Sequence, residues 1–151
     1  MGTNYTTKQM GDACEMLVAA ELTLAGIPAS TLPGFWPGHD VIAQPRDGRP
    51  PQRVSVKSRT FKLGAAFVGY YDTDAFDWLA IVFLPGDNQT ARRFFIIPKA
   101  LADAKARRDK PTAKTAKERY WRLDEVAQLF PEFEGNFSLR ESPTAARSGL
   151  S

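Results

Sequence analysis

Three charged side chains are of the types that can together hydrolyse a phosphodiester. Glu15 lies in a segment with an apolar stripe, Asp40 opens a short apolar run, and Lys57 closes a Val-Ser-Val-Lys string. Carboxylate oxygens suit Mg²⁺, which activates water and absorbs charge on a phosphate. A lysine beside the ion orients or deprotonates that water, or neutralises the phosphate. This set predicts a hydrolytic metal site, provided that the fold brings the three side chains together.

The element that carries Glu15 is predicted to be a helix from Thr7 to Ala25. This stretch lacks proline, is rich in Ala, Leu, Met and Glu, and precedes Gly26, which suits a glycine at a helix end. Helical spacing puts Glu15 at the edge of the apolar stripe and Glu21 nearer its centre. Glu21 therefore remains a second candidate for the acidic role.

A hairpin is predicted to bring Asp40 to Lys57. Residues 40–43 and 53–59 have the composition of strands, and residues 45–51, with their prolines and glycine, form the turn between them. Because side chains alternate along a strand, Ser55 and Lys57 share the face opposite the two valines. Pairing of the two strands then places Asp40 beside them.

Further strands and helices are predicted around this hairpin. The apolar runs 78–84 and 93–97 are predicted to be central strands, followed by helices at 100–108 and 123–130. Together with the first helix, this order predicts an α/β or α+β fold with a mixed sheet.

Two segments are predicted to lack regular structure. Residues 28–38 are rich in Pro and Gly, and their Phe35 and Trp36 are expected to fold back onto the domain. The tail 141–151 is expected to be disordered, which leaves one domain over residues 1–140.

The composition and the motifs indicate a cellular location and which cofactors are expected. A single Cys14 forms no internal disulfide, and one Cys with one His makes no zinc cluster, so a cytoplasmic location is expected. No apolar run has the length of a membrane span or the form of a leader. Without a Walker loop, a nucleophile elbow or a dinucleotide fingerprint, no small-molecule cofactor is expected.

The charge balance is compatible with a polyanionic partner. The net charge is +3 and the isoelectric point about 9.1. Basic residues are concentrated from Lys99 to Arg119, where a solvated polar face explains them as well as a phosphate-binding patch does.

These motifs together resemble the PD-(D/E)xK nuclease superfamily. The resemblance is carried by Gly11-x-x-x-Glu15 on the first helix, by Asp40-Val41-Ile42 and by Val54-Ser55-Val56-Lys57-Ser58, and it extends over roughly residues 8–99. Members similar to Holliday junction resolvases and to small endonucleases are the nearest. The resemblance implies a restriction-endonuclease-like mixed β-sheet flanked by helices.

The resemblance also implies roles for individual residues and a set of partners. The catalytic residues would be Glu15, Asp40, Ser55 and Lys57. Mg²⁺ or Mn²⁺ would be held by Glu15, Asp40 and the Val56 carbonyl. DNA would be bound by Ser58, Arg59, Lys62 and Lys99. A homodimer is expected as well, since symmetric cutting of two strands needs two sites.

One position departs from the superfamily pattern and opens an alternative. Ser55 stands where these sites have a second strand acid, and a neutral hydroxyl is a poorer ligand for Mg²⁺ than a carboxylate. The alternative is a catalytically impaired nuclease fold that binds nucleic acid or a protein. Asp72, Asp74 and Asp77 could supply a relocated acid, although turn formation explains them better.

Overall fold

A five-stranded mixed sheet and a separate two-stranded sheet form the centre of the molecule, and the computed structural model describes residues 4–61, 66–86 and 90–142. In chain order the strands are β1 (Ala29–Thr31), β2 (Val41–Ala43), β3 (Gln52–Thr60), β4 (Phe67–Tyr71), β5 (Trp78–Leu84), β6 (Arg93–Pro98) and β7 (Glu118–Arg122). The larger sheet has the order β1-β2-β3-β5-β6, and β4 pairs with β7 in the smaller one. β3 and β5 are parallel, and the other neighbouring strands are antiparallel.

Helix α1 (Thr7–Leu24) packs on one face of the larger sheet. It begins with a capping box in which Thr6 and Gln9 satisfy each other's backbone N–H groups, and it ends before Gly26, whose φ is +101°. Its stripe of Cys14, Val18 and Leu22 is buried against valines and other apolar residues of the sheet. The hydrophobic effect of this burial fixes which side of the helix faces the sheet.

The opposite face of the larger sheet is covered by the β4–β7 sheet together with α2 (Lys99–Lys105) and α3 (Leu123–Leu129). β5 runs between the two cores, and all seven of its residues are buried. A strand covered on both faces has a continuous apolar sequence rather than an alternating one, as this strand does. The α+β architecture with a mixed sheet, predicted from the sequence, is confirmed.

Several details differ from the sequence-based expectations. The segment 28–38 contains the short strand β1, and Phe35 and Trp36 are 85% and 48% exposed rather than folded back onto the domain. Strands β4 and β7 were not expected, and the predicted helix 100–108 ends at Lys105. Most of the tail, residues 143–151, lies outside the described residues.

Within the described ranges, no helix combines the length and the apolar character that crossing a bilayer requires.

Candidate functional site

Asp40 directly precedes β2, at the end of the β2–β3 pairing that lies farthest from the hairpin turn. The last paired residues are Val41 and Val54, and the Asp40 backbone N–H donates to the Val54 carbonyl at 2.9 Å. Its carboxylate then accepts a hydrogen bond of 2.7 Å from the Val56 N–H through Oδ2. The Asp40 side chain is therefore held against the stretch of β3 that contains Ser55, Val56 and Lys57.

The Val56 carbonyl points toward the same strand edge as Asp40. In an extended strand, the N–H and the C=O of one residue point to the same side, and the Val56 N–H is directed at the Asp40 carboxylate. The pairing of β2 with β3 ends at Val41 and Val54, so residues of β3 after Val54 have no paired residue of β2 at this edge. The carbonyl oxygen is thus placed to serve as a further oxygen ligand beside Asp40.

Ser55 and Lys57 share the other face of β3, as their spacing predicts. Val54 and Val56 pack in the core beneath α1, so the alternating residues Ser55 and Lys57 face away from that helix. Ser55 is only 3% exposed. Lys57 is half-buried and lines a groove between β3 and the β4–β7 sheet.

Glu15 of α1 is electrostatically coupled to this edge of the sheet. The pKa of its carboxyl is raised to about 7, mainly by burial and in addition by the negative charges of Asp40 and Asp12. The positive charges of Lys8 and Lys57 act against this rise. Glu15 therefore lies near enough to both Asp40 and Lys57 for their charges to influence its proton affinity.

The donor set fits a hard divalent ion that keeps much of its hydration. A cation would relieve the repulsion between the Glu15 and Asp40 carboxylates, and the bond to Val56 engages only one Asp40 oxygen. Mg²⁺ is commonly held by one or two carboxylates together with waters and substrate phosphates. In the part of the chain that the structure describes, no cluster of three or more His, Cys, Asp or Glu is placed to hold a metal. The set does not fit a closed site such as structural zinc.

The second helix acid, Glu21, lies further along α1. It is six positions after Glu15, and this spacing corresponds to about 9 Å along the helix axis. The charge of Asp40 raises the pKa of Glu15, and the charge of Lys57 lowers it. Glu15 is therefore the helix acid that we retain for the site.

The four residues expected to bind DNA lie in different surroundings. Arg59 lines the groove beside Lys57, and its guanidinium donates to the carbonyls of Phe67 and Ser58 at 3.1 and 2.7 Å. Ser58 faces α1, is 7% exposed and lies close enough to Cys14 to lower the pKa of its thiol, against the larger effect of burial. Lys62 lies outside the described residues.

Lys99, the fourth of these residues, is engaged within the fold. Its ammonium pairs with Asp103 at 3.0 Å and lies over the rings of Tyr70 and Phe76. Elsewhere in the basic segment 99–119, Arg107 pairs with Glu125 and Arg119 with Asp72, each at 2.9 Å. This segment is therefore in part an ion-paired structural surface.

The three aspartates considered as relocated acids have structural partners. Asp72 pairs with Arg119, and Asp74 accepts a hydrogen bond from the Tyr71 N–H at 3.1 Å, as in a turn. Burial alone would raise the pKa of Asp77, but hydrogen bonds from the side chain and the N–H of Arg53 outweigh it and lower that pKa.

Strand β7 adds residues to the site region that the sequence analysis did not single out. Glu118, Arg119 and Tyr120 line the groove that contains Lys57 and Arg59. The stretch Arg-Tyr-Trp-Arg contains two residue types that favour strands, flanked by polar residues. That local signal could have predicted the strand, but its pairing with β4 over a distance of about fifty positions could not be read from it.

Comparison with solved structures shows that the fold is similar to that of a known endonuclease. The structure is similar to that of a bacterial homing endonuclease, with a TM-score of 0.51 and 15% sequence identity over 76% of this chain and 89% of the other. It is also similar to a Holliday junction resolvase from the archaeal hyperthermophile Archaeoglobus fulgidus, with a TM-score of 0.45 and 16% identity over 78% and 91%. The resemblance predicted from the sequence is thus confirmed at the level of the fold.

No protein-family model matches the sequence, and no curated protein sequence matches it.

Proposed function

We propose that this chain is a divalent-metal-dependent endonuclease that hydrolyses phosphodiester bonds of DNA. Two observations support the proposal: the Asp40 carboxylate is tethered to Val56, and the charges of Asp40 and Lys57 both act on the pKa of the Glu15 carboxyl. The nuclease fold supports the same activity. Glu15, Asp40 and the Val56 carbonyl would hold Mg²⁺ or Mn²⁺, which when bound supplies an activated water and charge stabilisation.

The protein groups in this proposal have distinct roles. The Val56 N–H fixes the orientation of the Asp40 carboxylate, so that little conformational freedom is lost on binding. Lys57 has no carboxylate within salt-bridge distance among the described residues, so its ammonium is available to orient the attacking water or to neutralise the phosphate. The Ser55 hydroxyl can donate a hydrogen bond to a phosphate oxygen or to a water.

The basic residues would hold the DNA backbone. Arg59 is the best placed of them, because it lies two residues from Lys57 on the same face of β3 and lines the same groove. Lys62 and Lys99 are the further candidates from the sequence, while Ser58 would need a local rearrangement to leave its contact with Cys14. A homodimer would allow cutting of two strands, and the buried, free Cys14 is compatible with a reducing cytoplasm.

Metal binding and cleavage are best measured in the same buffer. Calorimetric titration with Mg²⁺ and with Mn²⁺ would be combined with incubation on duplex, single-stranded and branched DNA, for the wild type and for Asp40→Asn and Lys57→Ala. We expect saturable metal binding, loss of cleavage in both variants by roughly 10² to 10⁴-fold, and loss of metal affinity only in Asp40→Asn.

Arg46→Ala is the matched control for the removal of a positive charge. Arg46 is exposed in the turn at the far end of the β2–β3 hairpin, so cleavage should be unchanged. Metal-stimulated cleavage that survives both Asp40→Asn and Lys57→Ala would reject the proposed site.

The second candidate is a nuclease fold without hydrolytic activity, which binds nucleic acid or a protein. Ser55 is the observation that favours it, since it removes one carboxylate from the strand where the superfamily has an acid. Absence of both metal binding and cleavage, with DNA binding retained, would select this alternative.

A further inference from the structure

A groove runs beside Lys57 between β3 and the β4–β7 sheet. Its volume is about 510 Å³, within the range of about 300 to 1,000 Å³ typical of ligand sites. Lys57 and Arg59 contribute from β3, Phe67 and Tyr71 from β4, and Tyr120 from β7. The groove therefore opens directly from the candidate catalytic lysine.

Two aromatic rings on this groove are left exposed by the alternation of β4. Val68 and Tyr70 point into the core, whereas Phe67 and Tyr71 are 46% and 55% exposed. Gly69 separates the two rings and lets Tyr120 of the paired strand approach closely, so that the Tyr120 ring lies edge-on to Phe67 with 5.6 Å between the ring centres. Exposed aromatic rings of this size provide flat apolar surfaces on which another ring can stack.

The charged groups around the groove leave positive charge on its β3 side. Arg59 donates to backbone carbonyls, and neither Arg59 nor Lys57 forms a salt bridge with a described carboxylate. Arg119 is paired with Asp72.

The acids that line the groove are Asp109 and Glu118. Asp109 accepts hydrogen bonds from the hydroxyls of Thr115 and Tyr120, which lower the pKa of its carboxyl and keep it ionised. Two carboxylates are therefore opposed to the two β3 cations.

We propose that this groove binds an unpaired nucleotide of the nucleic acid, with its base stacked on Tyr71 and Phe67 and its phosphate against Arg59. The proposal rests on the proposed function, because it places the phosphate next to Lys57. In a duplex both faces of a base are covered by its neighbours, so only an unpaired or extruded base offers a face to these rings. The substrate class is therefore nucleic acid with a single-stranded segment beside the phosphate to be cut, rather than continuous duplex.

The test measures binding without catalysis. Fluorescence anisotropy in EDTA would compare a labelled oligothymidine of about 15 nucleotides with a duplex of the same length, using the full chain. We expect the wild type to prefer the single strand, and Tyr71→Ala and Phe67→Ala each to weaken single-strand binding about fivefold to 150-fold with less than about a twofold effect on the duplex. Tyr71→Phe keeps the ring and should restore single-strand binding.

Two further variants test whether negative charge opposes single-strand binding and whether the loss of binding is specific to the groove. Glu118→Gln removes one of the two carboxylates from the groove and should strengthen single-strand binding, with a smaller gain at higher salt. Leu24→Ala removes an exposed apolar side chain, 82% exposed at the end of α1, and should have no effect. Equal binding of single strand and duplex, or single-strand binding that Tyr71→Ala and Phe67→Ala both leave unchanged, would overturn the proposal.

Failure of this proposal can be told apart from failure of the proposed function. If Tyr71→Ala loses single-strand binding in EDTA while no metal supports cleavage, the groove stands and the nuclease activity does not. If the wild type cleaves duplex DNA as well as branched DNA, and Tyr71→Ala cleaves both at the wild-type rate, the nuclease activity stands and the groove proposal falls.

Discussion

The Val56 N–H donates a 2.7 Å hydrogen bond to Oδ2 of Asp40, sixteen residues away in the chain. This bond takes the place of strand pairing for β3 on the Asp40 side of Val41, where β2 begins. An edge N–H left without a partner is unfavourable when it is buried, so Asp40 has a structural role that does not depend on any metal. The same bond holds the carboxylate at the edge of β3, where its charge raises the pKa of Glu15.

The two roles of Asp40 predict different effects for two substitutions. Asp40→Ala leaves the Val56 N–H without its acceptor and should destabilise the fold by about 1 to 3 kcal/mol, measured by urea unfolding in EDTA. Asp40→Asn keeps an oxygen acceptor and should lose less than about 1 kcal/mol. Equal stability of Asp40→Ala and wild type would show that water satisfies this N–H as well as the carboxylate does.

Protonation of Glu15 predicts a pH-dependent stability for the metal-free protein. Folding raises the pKa of this carboxyl from 4.5 to about 7, so the folded state binds the proton more tightly than the unfolded state. The resulting stabilisation is full below pH 4.5 and is lost as the pH rises through about 7. Glu15→Gln, which resembles the protonated form, should match the wild type near pH 4 and exceed its stability at pH 8 by on the order of 1 kcal/mol, after allowance for solvent screening.

Glu21→Gln is the matched control for this experiment, because it removes an acid from the same helix at a position that is also half-buried. Urea unfolding of the three proteins at both pH values gives the comparison. Mg²⁺ at pH 8 should stabilise the wild type and Glu21→Gln but not Glu15→Gln, since a ligand that binds only the folded state raises its stability. A gain in Glu21→Gln instead would identify Glu21 as the acid of the site.

Ser55 predicts how metal affinity responds to an added acid. Ser55→Glu introduces a carboxylate next to Asp40, where the side chain is 3% exposed, and should raise Mg²⁺ affinity by about tenfold or more while lowering metal-free stability by about 1 to 3 kcal/mol. Ser55→Gln has nearly the same size without the charge and should gain no affinity. Calorimetry and cleavage assays on both variants provide the measurement, and equal affinities would show that Ser55 does not face the metal.

Glycine substitutions test the pairing that forms one wall of the groove. A Cβ on Gly69 would lie 2.4 Å from the Arg119 carbonyl oxygen and 2.8 Å from the Tyr120 Cβ. Gly69→Ala should therefore force β4 and β7 apart and destabilise the fold by about 1 to 3 kcal/mol. Gly11→Ala is the control, because its Cβ would meet nothing within 4 Å and alanine favours the helix by up to about 1 kcal/mol. Thermal unfolding of both variants decides the matter, and a destabilised Gly11→Ala would indicate a packing role for that glycine.

Local sequence patterns were sufficient for the elements that carry the candidate site. The apolar stripe and Gly26 gave the extent of α1 almost to the residue, because helical periodicity and end signals are local. The alternation of Val and polar residues gave the faces of β3, and the continuous apolar run of β5 matched its burial on both sides. The resemblance to the PD-(D/E)xK nucleases rested on the order of these same elements, and the fold agrees with it.

The sequence by itself determined which residues could do chemistry and on which strands and helix they lie, since residue type and periodicity are properties of short segments. Only the tertiary structure decided that the Asp40 carboxylate binds the Val56 N–H, that Ser58 faces Cys14, and that Lys99 is held by Asp103. It also decided that β7 joins β4 and forms a groove beside Lys57. These contacts join positions far apart in the chain, and their free energy depends on burial and pairing that no short segment encodes.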